Sequence, residues 1–139
     1  MKKIRLFTIL AAVIIIISSC SKKDDSERFK LLTGHVWESD VLLVDGVDES
    51  GVDGLLEEFV GDARFKTDGT GSFGQYVGTW SFSNNETKIS ISSPSLMNGL
   101  AVTLNIEELT ADVFTMSTTL PIKLDPLNPN LVELSFTAK

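Results

Sequence analysis

From Val36 to Ala138 the chain keeps returning to a period of two, apolar then polar, in runs of four to nine residues separated by turn-forming residues. Successive side chains of a strand point to opposite faces, so each such run has one apolar face and asks for a partner surface to bury it. Val36 to Val44 sets Trp37, Val41 and Leu43 against Glu38 and Asp40, with Leu42 and Val44 blurring the pattern at its end. Arg64 to Thr67 and Thr70 to Gly74 flank Asp68-Gly69, a strong hairpin signal because both residue types tolerate the left-handed backbone of a tight turn. Gly78 to Ser83 and Lys88 to Ser92 alternate about an Asn84-Asn85-Glu86 turn. Ala101 to Glu108 and Val113 to Thr119 do so about Leu109-Thr110-Ala111, and Leu131 to Ala138 follows a proline-punctuated loop, Pro121 to Asn130. These eight short runs predict an all-β fold, an eight-stranded up-and-down antiparallel barrel, since closure removes the unpaired edges of an open sheet. A two-sheet sandwich is the alternative, because alternation does not say which strands pair.

One segment departs from period two. Val52, Leu55, Leu56, Phe59 and Val60 are spaced by threes and fours, the face of one short helix, with Ser50 or Asp53 as its cap and Gly54 weakening its interior. Such a helix is expected to lie over an open end of the barrel. The inward faces carry many aromatic residues, Phe65, Phe73, Trp80, Phe82, Phe114 and Phe136 among them. An eight-stranded barrel is wide enough either to be filled by such side chains or to hold one small ligand.

The chain begins differently. Lys2, Lys3 and Arg5 precede a twelve-residue apolar run, Leu6 to Ile17, and then the small residues Ser18 and Ser19. This is the layout of a secretion signal, and the run is short of the roughly 20 residues a membrane-spanning helix needs. The stretch Ile17-Ser18-Ser19-Cys20 resembles the lipobox of bacterial lipoproteins, in which the cysteine is lipidated and becomes the mature N-terminus. The resemblance implies a signal peptide over residues 1–19 and a lipid on Cys20, the only cysteine of the chain, sufficient for stable anchoring. Ser21 after the cysteine implies the outer membrane. Lys23-Asp24-Asp25 resembles the export tag of surface-displayed lipoproteins of Gram-negative, Bacteroidota-type bacteria, so the address is the cell surface or the periplasmic leaflet. Residues 20–30 are read as a charged, flexible tether and 31–139 as the folded domain.

A second resemblance covers that domain. Gly34 and Trp37 stand just before the first strand, where lipocalins have a Gly and a Trp that packs across the closed end of the barrel. Phe65-Lys66-Thr67-Asp68-Gly69-Thr70 followed by Gly78-Thr79-Trp80 is similar to the hairpin and strand opening of bacterial lipocalin-like lipoproteins. These motifs describe corners of a barrel and carry no chemistry. In physical terms Gly78 lets backbones approach closely, Thr79 faces solvent and Trp80 fills the interior.

Removal of residues 1–19 leaves nine basic against nineteen acidic side chains, a formal charge of −10, which opposes binding to nucleic acid or to anionic surfaces. His35 is the only histidine, so neither a Cys-His pair nor a Ser-His-Asp triad has support, and the carboxylates alternate with apolar residues on outward faces. No enzyme, cofactor or metal site is expected. The acidic stretch Asp45 to Gly54 lacks the ligand pattern of an EF-hand. The reading that follows is non-catalytic binding of a small apolar or amphipathic ligand in the barrel mouth, with Trp80, Phe82, Phe114 and Met116 lining the pocket. Its alternative is a filled barrel that meets a protein or glycan through the acidic loop 45–62.

Overall fold

A computed structural model describes residues 25–123 and 125–139; residues 1–24, and with them the leader and Cys20, lie outside the described residues. Nine strands run in the order β1 (Val36–Val44), β2 (Val47–Asp48), β3 (Asp62–Phe65), β4 (Thr70–Phe73), β5 (Tyr76–Ser83), β6 (Lys88–Ser92), β7 (Val102–Leu109), β8 (Val113–Leu120) and β9 (Asn130–Ala138). From β3 onward each strand pairs antiparallel with the next, and β1 pairs with both β3 and β9, from Trp37↔Ala138 to Val44↔Val132. Eight strands thus close an up-and-down barrel of lipocalin-like form, and the sandwich alternative is excluded. The β2 strand is a two-residue extension folded back on β1 by Asp45 and Gly46, both at positive φ. Asp-Gly is a hairpin signal here as it is at residues 68–69, although β2 was not foreseen from the sequence.

The expected inward face of β1 changes halfway along the strand. Ser39 lies opposite Phe136 and Val41 opposite Ser135, so Asp40 is an extra residue and the strand bulges. A bulge shifts the alternation by one. Trp37 is inside, but beyond Asp40 the buried residues are Leu42 and Val44, while Val41 is 40% exposed. The assignment of Val41 and Leu43 to the interior is corrected accordingly, and the blurred alternation in the sequence is the bulge itself.

Among the described residues the one α-helix is not where the apolar spacing placed it. Residues 52–60 form a hooked loop containing one turn of 3-10 helix, Glu57–Phe59. Asp53 takes a left-handed φ of 62°, Gly54 N–H bonds Gly51 O, and Leu56 N–H reaches back to Glu49 O, so the chain doubles on itself where a helix would have to continue. The helix α1 is Glu27–Thr33, overlapping the stretch read as tether. Ser26 caps it, its Oγ accepting from Phe29 N–H at 3.0 Å. Seven residues do not sustain a helix in water; packing does. Leu32 has no exposed surface, Phe29 packs on the barrel core, and Trp37 Nε1–H donates to Leu32 O at 3.0 Å. Arg28 Nε–H donates to Glu86 O in the β5–β6 turn, fixing the outer edge of the helix.

All these contacts, and the closing β1–β9 ladder, lie within residues 25–139, so a chain beginning at Ser21 retains every one of them. Gly78 is a point of close approach: a Cβ there would overlap the Ser92 carbonyl oxygen of the neighbouring β6. Thr79 is exposed and Trp80 buried, as the sequence predicts.

Candidate functional site

The up-and-down order sorts the connections between two ends. One end holds α1 and the tight turns 66–69, 84–87 and 110–112; the other holds the longer connections 45–61, 93–101 and 121–129 and the Gly74-Gln75 turn. The first end is packed shut. Trp37 meets Phe114 at 5.5 Å between ring centroids, Phe65 meets Trp80 and Phe114 edge-on at 5.7 Å each, and Phe82 meets Trp80 edge-on at 5.4 Å. Phe29 of α1 covers Trp80 at 5.7 Å. Both indole N–H groups are satisfied within this plug, Trp80 Nε1–H by Lys66 O at 2.9 Å. Offset and edge-on contacts of this kind add to the burial of area they accompany.

Toward the other end a cavity of about 420 Å³ opens, walled by Ala63, Ile91, Val102, Leu104 and Val132 together with the rings of Phe65, Phe73 and Phe136. Loop residues build its upper wall: Leu55, Leu56 and Phe59 from the hooked loop, Leu96, Met97, Asn98 and Leu100 from the β6–β7 connection, and Leu120, Pro121 and Ile122 from the end of β8. Only Tyr76, Asn98 and Thr118 bring polar side chains to the lining. Leu55, Met97 and Leu100 are 43%, 40% and 68% exposed, so the apolar wall continues onto the rim. Met97 and Asn98 both hold positive φ, 47° and 57°, a backbone that bulky residues seldom adopt and that turns the loop over the opening.

Of the four residues chosen from sequence for the pocket, Met116 lines the cavity. Trp80, Phe82 and Phe114 stand in the plug at the opposite end and are absent from the cavity wall. The filled interior of the alternative reading is likewise found in one half of the barrel only. What the sequence reading missed are the loop residues, Leu96 and Leu100 above all. A visible signal existed, since an apolar Leu96-Met97 and Leu100 in a segment without alternation have no strand face to explain them.

The acidic segment lies along the cavity mouth, where its carboxylates hold backbone. Asp45 accepts from Asn130 Nδ2–H at 2.7 Å and Leu131 N–H at 2.9 Å, with the Lys123 ammonium at 3.9 Å. The Asn130 amide beside it holds the Asp45 carboxyl below the usual carboxylate range, helped by the Leu131 N–H and by Lys123. Asp48 accepts from Ser50, Glu49 from Leu55 N–H, and Glu57 from Asp53 N–H. Among the described residues no three metal-ligating side chains converge. Glu58 accepts from the Tyr76 hydroxyl at the cavity rim. Burial, and then this bond to a carboxylate, push the Tyr76 hydroxyl up to about 12. His35 sits at the plugged end with its ring 5.4 Å from that of Trp37, edge-on and far along the barrel from the mouth.

No family model matches this chain, and a search of curated proteins finds no match.

Proposed function

We propose that the protein binds a small apolar or amphipathic molecule in the mouth of its barrel and holds it without transforming it. The observation that carries this reading is the half-filled interior. A chain that needed only a rigid platform has no use for a cavity of about 420 Å³ with an almost wholly apolar wall, open at one end and sealed at the other by an aromatic plug. That volume lies in the range of roughly 300–1,000 Å³ usual for small-molecule sites. Burying an apolar surface there releases about 25 cal/mol per Å² covered, and Tyr76, Asn98 and Thr118 are placed to meet a polar head or hydroxyl.

The domain is further read as an outer-membrane lipoprotein held through Cys20, on either the cell surface or the periplasmic leaflet. The lipobox resemblance of Ile17 to Cys20 supports this. Five residues separate Cys20 from the Ser26 cap. At about 3.3–3.6 Å per residue they reach roughly 20 Å at most. Since α1 lies across the plugged end, such an anchor directs the mouth away from the lipid.

Two experiments test the two halves of the proposal. Phenylnaphthylamine, a neutral apolar probe, should brighten on adding the chain from Ser21 onward and should be displaced by a lipid extract; no brightening, together with no discrete added mass in native mass spectrometry, refutes the cavity reading. A Cys20→Ser form should fractionate with soluble protein, and its persistence in membranes refutes the anchor.

A further inference from the structure

The cavity reading leaves open the head group of the ligand, and the charge around the mouth differs sharply from that around the plug. The connections at the open end carry seven carboxylates, Asp45, Asp48, Glu49, Asp53, Glu57, Glu58 and Asp125, against one ammonium, Lys123. The helix, turns and terminus at the plugged end are balanced, with Glu27, Asp68, Glu86 and Asp112 against Arg28, Lys30, Lys66 and Lys139. The asymmetry follows the barrel axis, and the acidic side surrounds the opening into the apolar cavity.

One point on the rim adds chemistry to this field. Phe59 and Tyr76 both line the cavity with ring centroids 5.0 Å apart, and the Glu58 carboxylate is bonded to the Tyr76 hydroxyl. Two aromatic rings beside a carboxylate, at the border between an apolar cavity and water, suit an alkylammonium. Its charge is attracted by the ring faces and by the carboxylate, while its weakly hydrated alkyl groups lose little on leaving water. An alkyl carboxylate in the same place would put like charges together in a partly apolar setting, which costs it affinity.

We propose that the ligand is a cationic amphiphile whose apolar chain fills the barrel and whose ammonium head rests at Glu58, Phe59 and Tyr76. This rests on the cavity reading and narrows it to a charge class. The test compares three molecules with the same dodecyl chain, dodecyltrimethylammonium, dodecanol and dodecanoate, each below its micelle concentration, as displacers of phenylnaphthylamine from the chain starting at Ser21. The ammonium should bind about tenfold more tightly than the alcohol, and the alcohol more tightly than the carboxylate. Glu58→Gln keeps an acceptor for the Tyr76 hydroxyl, so the rim retains its shape. It should reduce the ammonium-to-alcohol ratio several-fold and leave the alcohol unchanged, whereas Asp112→Asn at the plugged end should alter neither. Dodecanoate binding as well as the ammonium, or a ratio indifferent to Glu58→Gln, overturns the proposal while dodecanol binding keeps the cavity reading intact. Failure of all three to displace the probe overturns both.

Discussion

The two tryptophans offer the sharpest test of how the plugged end is held. Each is buried, each donates its indole N–H to a backbone carbonyl, and each can be changed to Phe with the ring body kept in place. Loss of the second ring gives up about 1 kcal/mol of apolar burial in either case, at roughly 25 cal/mol per Å². The hydrogen bonds are not equivalent. Lys66 O also accepts from Gly69 N–H at 3.1 Å, so Trp80→Phe leaves that carbonyl with a partner and loses a bond worth about 1 kcal/mol. Leu32 O belongs to a residue with no exposed surface, and among the described residues its only hydrogen bond is the one from Trp37. Trp37→Phe therefore leaves a buried acceptor unsatisfied, at about 2 kcal/mol or more in place of 1. The expected losses are about 2 kcal/mol for Trp80→Phe and about 3 kcal/mol for Trp37→Phe. With a denaturant slope near 1.5 kcal/mol/M these are shifts of about 1.3 and 2 M in the urea midpoint. Urea titrations followed by circular dichroism measure them, and phenylnaphthylamine titrations on the same samples should show unchanged affinity because neither ring borders the cavity. Equal losses, or a larger loss at Trp80, would refute the accounting of satisfied carbonyls. A weaker probe affinity in folded Trp80→Phe would refute the division of the barrel into a plug and a pocket.

Other consequences of the same geometry can be measured directly. Val102→Trp fills the cavity from its side wall; it should weaken phenylnaphthylamine binding at least about tenfold while the unfolding free energy from urea titration stays within about 1 kcal/mol of the parent, since the added bulk enters space already present. Gly78→Ala places a methyl group against the Ser92 carbonyl, and the β5–β6 pair must shift to admit it; a loss of at least about 2 kcal/mol by urea titration is expected. Asp45 has its pKa lowered by Asn130, Leu131 and Lys123, so its contribution is present above the unfolded value of about 3.9 and disappears as pH falls through the lower folded value. Asp45→Asn, which tolerates the same left-handed φ of 50°, should be less stable than the parent at pH 7, and the gap should narrow as pH falls below the unfolded value in urea midpoints taken across a pH series.

The residues that decide the fold and those that decide the site announce themselves differently in the sequence. Ile89 and Ile91, Val102 and Leu104, and Val132, Leu134 and Phe136 are read as interior from alternation alone, and they are buried. Alternation reports which face of a strand is inward, and that is enough to close a barrel. It says nothing of depth along the axis, and the division into plug and pocket is a question of depth. Trp80 and Met116 are both inward, but Trp80 packs against Phe29 of the helix and Met116 lines the cavity. The end that becomes the plug is chosen by α1, whose signal was a Ser26 cap with Phe29 and Leu32 three residues apart, hidden within a run of charge. Once Leu32 and Phe29 close that end, the aromatic residues nearest it have neighbours to pack against, and the space left over falls where the strands carry Ala63, Ile91 and Val102. Aromatic residues therefore do not by themselves mark the pocket: Trp37, Trp80, Phe82 and Phe114 complete the seal, while Phe65, Phe73 and Phe136 share the cavity wall with smaller aliphatic residues, backed by loops that bring Leu56, Leu96 and Leu100 to the opening.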